Sequence, residues 1–385
     1  DPDVNAVMLA AIDGTSFPEY ARTGGTITAL PDSTDEFLLV GTRFNDFFHT
    51  IYDARRQKAV QRFLEDHSPD VIHVHHSLWV GLEFLQLARK TLPDVTILYT
   101  LHEYQPICYA YGQLYRYGEN SVCPNSAPDQ CVSCYPDRSV NDFVLRRRGF
   151  RRAFLLVDQF VAPSDDLRRR YVEWGIPEDK ITAIPNGHNR QRPKGWSPSP
   201  TPGLNVFGFF GQFVDAKGVD VLLRAAIAAA ERTSENIQIK IFGGNRQYAT
   251  ADYAALIDAL LQSVPPNLSV AILGTYSRDN VFDLMASVDW VVVPSVWPET
   301  FGLVISEAWD ARRPVLASDV GGLGERVQNK INGLTFQPGS DIQLRDLILE
   351  CCGNTDLWLW LSNSIGDEIP VDTAWQAHKS LFSSG

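Results

Sequence analysis

Short apolar runs alternate along the chain with longer amphipathic stretches. The runs "NAVMLAAI" (5–12), "EFLLVGT" (36–42), "VIHVHH" (71–76), "VTILYT" (95–100) and "QFVAPS" (159–164) predict five strands. A second set follows in "NVFGFFG" (205–211), "IQIKIFG" (237–243), "LSVAILG" (268–274), "DWVVVPS" (289–295) and "PVLAS" (314–318). Helical stretches such as "GVDVLLRAAIAAAERT" (218–233) and "NVFDLMASV" (280–288) lie between them. Strands alternating with helix-length segments predict an α/β fold of doubly wound parallel sheets. "NRQRPKGWSPSPTPG" (189–203) separates the two sets and, being rich in Pro and Ser, predicts a linker. The expectation is two Rossmann-like domains, 1–188 and 204–385, facing across a cleft, with no internal repeat.

Composition narrows what such a protein does. With 385 residues, 44% of them hydrophobic, the chain has ample material for two buried cores. A net charge of −12 argues against general nucleic-acid binding, which needs a broad cationic footprint. No apolar run approaches the ~20 residues that a membrane-spanning helix requires. The chain opens Asp-Pro-Asp rather than with Met, as a processed or excised chain does, so a missing signal peptide carries little weight. Six cysteines in this length are too few for a secreted disulfide scaffold and fit a reducing, cytoplasmic setting.

In open α/β sheets ligands collect beyond the carboxyl ends of the strands. After 289–295 comes "PETFGLVISE" (298–307), where a helix is expected to start near Gly302. Glu299 then falls in the loop and Glu307 in the helix. The N–H groups of Phe301, Gly302 and Leu303 would face the cleft and could hold a phosphate. Glu307 could accept from ribose hydroxyls and Glu299 from a sugar ring. A capped helix with two solvated carboxylates would read the same from composition alone. "GFFGQFVDAKGVDVLL" (208–223) repeats the strand–loop–helix form: Gly208 and Gly211 close the strand and Lys217-Gly218 open the helix. A lysine beside helix amides is a diphosphate ligand in waiting, although surface lysines are common at such turns.

Three longer segments carry a family likeness: "ITAIPNG" (181–187), "GQFVDAKGVDVLLRA" (211–225) and "LMASVDWVVVPSVWPETFGLVISEAWDARRPVLASDVGGLGERVQNKINGLTF" (284–336). By these the chain resembles the retaining glycosyltransferases of the GT-B fold, glycosyltransferase family 4. The resemblance implies transfer of a sugar, with retention of anomeric configuration, from a nucleotide-diphosphate donor to a hydroxyl of a glycan or glycolipid. The family's Glu, seven residues, Glu motif is met by Glu299 and Glu307. It implies Glu299 on the donor-sugar hydroxyls, Glu307 on the ribose, and the backbone of 300–303 (Thr300, Phe301, Gly302 and Leu303) on the distal phosphate and sugar. Lys217 would neutralise the leaving diphosphate, Gly211 and Gln212 would flank it, and Gly274 and Tyr276 would lie near the base. His102, after the strand 95–100, would reach the donor sugar or β-phosphate across the cleft. His75 and His76 would line the acceptor side or serve structural hydrogen bonds. No D-x-D motif falls at a strand end, so no catalytic metal is required.

The sequence departs from that pattern twice. Gln212 stands where the family commonly has an Arg, which leaves Lys217 alone, or Arg246, to neutralise the diphosphate. The opening segment resembles the family's second strand, with Gly24-Gly25 too far from a strand end to be its glycine-rich loop. The first strand, loop and helix are then expected to be missing. These departures keep two alternatives open: a non-catalytic GT-B module binding glycan within a larger polysaccharide-synthesis protein, or a phosphorylase or epimerase of the same fold.

Two further features stand apart. Cys108, Cys123, Cys131 and Cys134 sit in a loop, 103–138, spaced C-x14-C-x7-C-x2-C. Four thiolates ending in C-x2-C suit a structural zinc, but unligated thiols or one or two disulfides fit the spacing too. Cys351-Cys352 read as core. Between 146 and 170 lie eight arginines against three aspartates. This is either a solvated helix face or a contact with anionic membrane lipid head groups or a charged glycan acceptor. The last helix is expected to pack back on the first domain.

Overall fold

The computed structural model describes residues 4–382 except 18, 20–25, 42, 117–118, 120, 125, 202 and 244–248. The N-terminal half contributes β1 (Met8–Asp13), β2 (Ile27–Ala29), β3 (Glu36–Gly41), β4 (Val71–Val74), β5 (Thr96–Thr100), a hairpin of β6 (Tyr115–Arg116) and β7 (Ser121–Val122), β8 (Gln159–Ala162) and β9 (Ile181–Ala183). The C-terminal half contributes β10 (Val206–Phe210), β11 (Ile237–Phe242), β12 (Leu268–Ile272), β13 (Trp290–Val293), β14 (Val315–Ser318) and β15 (Gly333–Phe336). All ten strands expected from the apolar runs are present, nearly all shortened at one or both ends, while β1 starts three residues later and runs one residue further than expected.

The C-terminal strands form one parallel sheet in the order β12-β11-β10-β13-β14-β15. Its order reverses between β10 and β13, where diverging connections leave a crevice. Apolar runs dictate this half: Val206–Phe210 and Trp290–Val293 are buried throughout, as strands covered on both faces must be. The helix Val219–Ala230 buries Leu222, Leu223, Ala225, Ala226 and Ala229 against them.

The N-terminal half is less regular than one continuous parallel sheet. Its strands fall into two hydrogen-bonded sets, β1-β3-β2 and β4-β5-β8-β9. The second set is parallel throughout, whereas β2 runs antiparallel to β3. Both sets share one core, in which Leu39 packs with Ile72, Val74 and Ile97, and Leu9 and Ala11 lie against it.

Two crossings join the halves. The described residues of 189–203 hold neither helix nor strand. Their path is pinned by Asp310 Oδ2, which accepts from Gln191 N (2.6 Å) and Arg192 N (3.1 Å). Further on, Asp289, fully buried, accepts from Thr201 N (2.6 Å), Thr201 Oγ1 (2.7 Å) and Val206 N (2.9 Å). The chain then returns: His188 N donates to Ile369 O (2.8 Å), and after the helix Val371–Lys379, Ala377, Leu381 and Phe382 pack on Leu98, Val161 and Ile184 of the N-terminal half. Among the described residues, no helix is long and apolar enough to cross a membrane.

Candidate active site

A cavity of about 350 Å³ opens where β10 and β13 end. From the C-terminal half it is lined by Lys217, Ser295, Glu299 and residues 300–304; His102 and Asn186 face them from the N-terminal half. Gly302 sets the geometry of its floor. Its φ of +79° turns the loop into the helix Leu303–Asp310, and a Cβ there would meet Leu323 Cδ2 at 2.5 Å. The first N–H groups of that helix have no acceptor within it, and they border the cavity.

Lys217 and Glu299 do not stand apart. Lys217 Nζ lies 2.7 Å from Glu299 Oε1, and Ser295 Oγ donates a short hydrogen bond to the same oxygen. Glu299 is only 8% exposed, so its charge depends on these two donors. Lys217 Nζ also stands 5.6 Å from the centre of the Trp297 ring. Lys217 is the one cationic side chain among the described lining residues other than histidine.

The remaining nucleotide candidates gather beside this cavity rather than in its lining. Burial pushes the Glu307 carboxyl above its ordinary value, with His188 pulling the other way. Burial, with Glu307 nearby, likewise raises the Tyr276 phenol. Tyr276 meets the Phe210 ring edge-on at 5.7 Å, and Phe210 stacks on Phe242 at 4.5 Å. Gly211 N donates to Phe242 O (3.1 Å) and Gly243 N to Gly274 O (2.6 Å), so Gly211 and Gly274 flank that aromatic wall. Gln212 is exposed. Arg246 and Gly24-Gly25 lie outside the described residues.

His102 is open to the cleft on one side. On the other, its Nε2 lies 2.9 Å from His75 Nδ1 with the two rings stacked at 5.2 Å. The His73 ring lies tilted at 35° to His75, 4.1 Å between centres, and its Nε2 meets Thr100 Oγ1 at 2.7 Å. Loss of water around the ring, then the imidazoles of His75, His76 and His378, holds His102 down to about 4. It is therefore neutral at neutral pH and acts as a hydrogen-bonding group, not as a cation. His76 Nε2 reaches Glu103 Oε1 at 3.0 Å instead of the cavity.

Sequence reasoning missed Ser295 and Asn186 as lining residues, whereas Thr300 fell within the 300–303 backbone expected there. Ser295 had a signal, a hydroxyl ending the buried run "DWVVVPS". Asn186 had none beyond its neighbours.

The four loop cysteines line one small cavity, about 20 Å³, with Tyr109, Tyr135 and Phe143. All six cysteines stand as thiols. Burial, then the three companions Cys108, Cys123 and Cys134, pushes Cys131 up to about 12. Among the described residues, no group of three or more His, Cys, Asp or Glu has the spacing to hold a metal ion, so the zinc ligand set is not formed in this arrangement.

The arginine-rich segment is less basic than its sequence. Arg146 is buried and donates to Pro106 O (2.8 Å) and Gln105 O. Arg147 donates to Trp174 O (3.1 Å), and Arg168, Arg169 and Arg170 pair with Asp165 or Asp166 one turn away. Arg148 and Arg152 remain exposed, beside Leu145 at 55% and Leu155 at 77% exposure.

Two α/β halves of this connectivity facing across a cleft are the arrangement of the GT-B fold. HepE of Anabaena, solved in complex with UDP and glucose, overlays with a TM-score of 0.60 at 19% identity, covering 90% of this chain and 86% of that one. The family model "Glycosyltransferase Family 4" matches residues 27–192, and "Glycosyl transferases group 1" matches 205–354. These consecutive matches, with the GT-B neighbours, support a glycosyltransferase of the family 4, GT-B type. The chain is 29% identical over 296 residues to the D-inositol 3-phosphate glycosyltransferase of Nocardia farcinica, covering 74% of this chain and 59% of that protein. The namesake enzyme of Rhodococcus jostii is 34% identical over 271 residues, 69% of this chain and 54% of that protein. The chain thus spans little more than half the length of these relatives.

The buried histidines make a pH prediction. The fold holds His49 and His73 at about 3 and His102 at about 4, chiefly through burial, against an ordinary 6.5. The unfolded chain therefore binds more protons between these values. Their stabilising contribution is complete above 6.5 and is lost as pH falls from there toward 4. The melting temperature is expected to be level above pH ~7 and to decline from about 6.5, before ordinary carboxylates titrate. His73→Gln should flatten that decline; an unchanged slope would show the imidazoles are not its source.

Proposed function

We propose that this chain transfers a hexose from a nucleotide-diphosphate donor to a hydroxyl of a glycan or glycolipid, with retention of anomeric configuration. The observation that carries this is the Lys217–Glu299–Ser295 cluster beside the N-terminal amides of the helix Leu303–Asp310. The leaving diphosphate takes the Lys217 ammonium and those amides, whose attraction grows as charge builds on the departing oxygen. Glu299 keeps Ser295 as donor and turns its remaining acceptor capacity to the sugar hydroxyls. Glu307, beside Tyr276 and the Phe210–Phe242 wall, takes the ribose. His102, neutral, donates or accepts at the sugar from the opposite side. Lys217 and the amides carry the charge, so the scheme needs no catalytic metal. Retention follows the family resemblance. Both matching family models describe glycosyltransferases, which favours transfer over phosphorolysis or epimerisation.

A thermal-shift screen of UDP-, GDP-, ADP- and TDP-sugars tests the donor class, with UDP first because the HepE complexes contain it. With the nucleotide so found, Lys217→Ala should lower turnover about 100-fold. Glu307→Ala should weaken nucleoside-diphosphate binding about tenfold or more by calorimetry. If no nucleotide binds and Glu307→Ala changes nothing, the reading fails.

The acceptor side points to a membrane surface at its cytoplasmic face. Arg148 and Arg152 with Leu145 and Leu155 form a small cationic, apolar stripe on an acidic protein. Sedimentation with phosphatidylglycerol vesicles should retain the protein at low salt. Arg148→Glu with Arg152→Glu should release it; equal binding to neutral phosphatidylcholine would refute the electrostatic contact.

We infer a structural metal for the four-cysteine loop: its four thiols line one small cavity and, drawn together on a divalent cation, would bind it as thiolates. Metal analysis of freshly purified protein should find about one zinc per chain. A negligible fraction would return these residues to buried thiols.

A further inference from the structure

We propose that Glu325 is a positioning residue that ties the donor loop to the opposite half of the molecule, so that the loop takes its working shape as the cleft closes. This deepens the sugar-transfer reading and rests on it. The short helix Gly321–Arg326 grips the loop 299–302 from behind. Gly322 N donates to Glu299 O at 2.6 Å. Arg326 Nη1 donates to Gly302 O at 2.8 Å, and its guanidinium covers the Phe301 ring 4.0 Å from the centroid.

The same helix reaches across the cleft. Glu325 Oε1 and Oε2 accept from the backbone N–H groups of Asp165 (3.0 Å) and Asp166 (2.8 Å), the first residues of the helix Asp165–Trp174. Those N–H groups have no acceptor inside their own helix, and the helix field there favours an anion. The Asp165 and Asp166 side chains are already paired with Arg168 and Arg170, so Glu325 is matched to the backbone and not to a spare cation. Next to it, Ser164 Oγ donates to Thr300 O (2.6 Å), and Thr300 Oγ1 donates to His102 O (3.0 Å). Every one of these bonds joins the two halves at the rim of the donor cavity.

One rigid turn therefore holds the loop at one end and the other half at its far end. Separating the halves breaks the Glu325 contact and leaves the loop held only from the C-terminal side. The ribose and base positions lie wholly within the C-terminal half and are untouched. Glu325 should accordingly matter for turnover and little for nucleotide affinity.

The test compares Glu325→Ala and Glu325→Gln with the unsubstituted protein by amide hydrogen exchange, UDP calorimetry and UDP-glucose turnover. In Glu325→Ala, exchange should accelerate both at 165–167 and at 299–303, with the strand Val206–Phe210 unchanged as an internal control. Turnover should fall about tenfold while UDP affinity stays within about twofold. Glu325→Gln, which keeps one acceptor oxygen, should recover part of both effects. Faster exchange confined to 165–167 with turnover intact would overturn the proposal, as would UDP affinity falling in step with turnover. If UDP does not bind the unsubstituted protein, the donor assignment is at fault, and the exchange arm still decides whether Glu325 couples loop and cleft.

Discussion

The site depends on a place where two stretches of backbone meet with no room for side chains. A Cβ on Gly321 would stand 2.6 Å from Glu299 O, and one on Gly322 would stand 2.8 Å from Thr300 O. Loop and helix thereby touch through main-chain atoms, and the Gly322 N–H closes a hydrogen bond to Glu299 O. This contact fixes the direction in which Glu299 leaves the backbone, and so its meeting with Lys217. A side chain wedged at either glycine would push the loop into the cavity, because the other side is filled by Leu323 and Phe301, both buried.

Charge in the site is arranged so that little is left without a partner before a donor arrives. Glu299 is held by Lys217 and Ser295, a pairing that offsets the cost of removing it from water. Among the described residues no lysine or arginine pairs with Glu307, and burial lifts its pKa. The histidines opposite are kept neutral by burial and by one another. On the proposed sugar-transfer reading, a diphosphate entering this site would meet one ammonium and several amides but no imidazolium. Its negative charge would then be matched near the bond to be broken more than anywhere else in the cleft.

Much of the fold was legible because ten strands are apolar runs long enough to stand out against their flanks. The others were not, for physical reasons: β6 and β7 are two residues each, β2 and β9 three, and β15 opens on a glycine. Such pieces are held by their neighbours rather than by their own pattern. The division of the N-terminal strands into two sets was hidden too, since apolar periodicity reports burial and not which strand pairs with which. In the site, Lys217 and Glu299 could each be singled out from its local frame. Their contact spans 82 positions of sequence and could not be read from either frame. The arginine-rich segment misled in the opposite sense: Arg168 and Arg170 read as surface charge, but their partners Asp165 and Asp166 sit a helical turn away.

The contacts between the halves are unlike on the two sides of the cleft. At the crossings they are many and partly buried: Asp310 holds the linker, and Arg326 Nη2 donates to Glu368 Oε2 at 2.6 Å on the returning strand of chain. At the rim they are few, polar and close to solvent: Ser164 to Thr300, Thr300 to His102, and Glu325 to the start of one helix. Buried contacts with charge-assisted bonds resist opening more than exposed ones, where water replaces each lost partner. Relative movement of the halves would thus turn about the crossings and part at the rim. Arg326 belongs to both sides, bound to Glu368 at the crossing and to Gly302 in the donor loop. A swing of one half is therefore felt in the loop through the next residue to Glu325, which is where the chemistry of the site needs its geometry most exact.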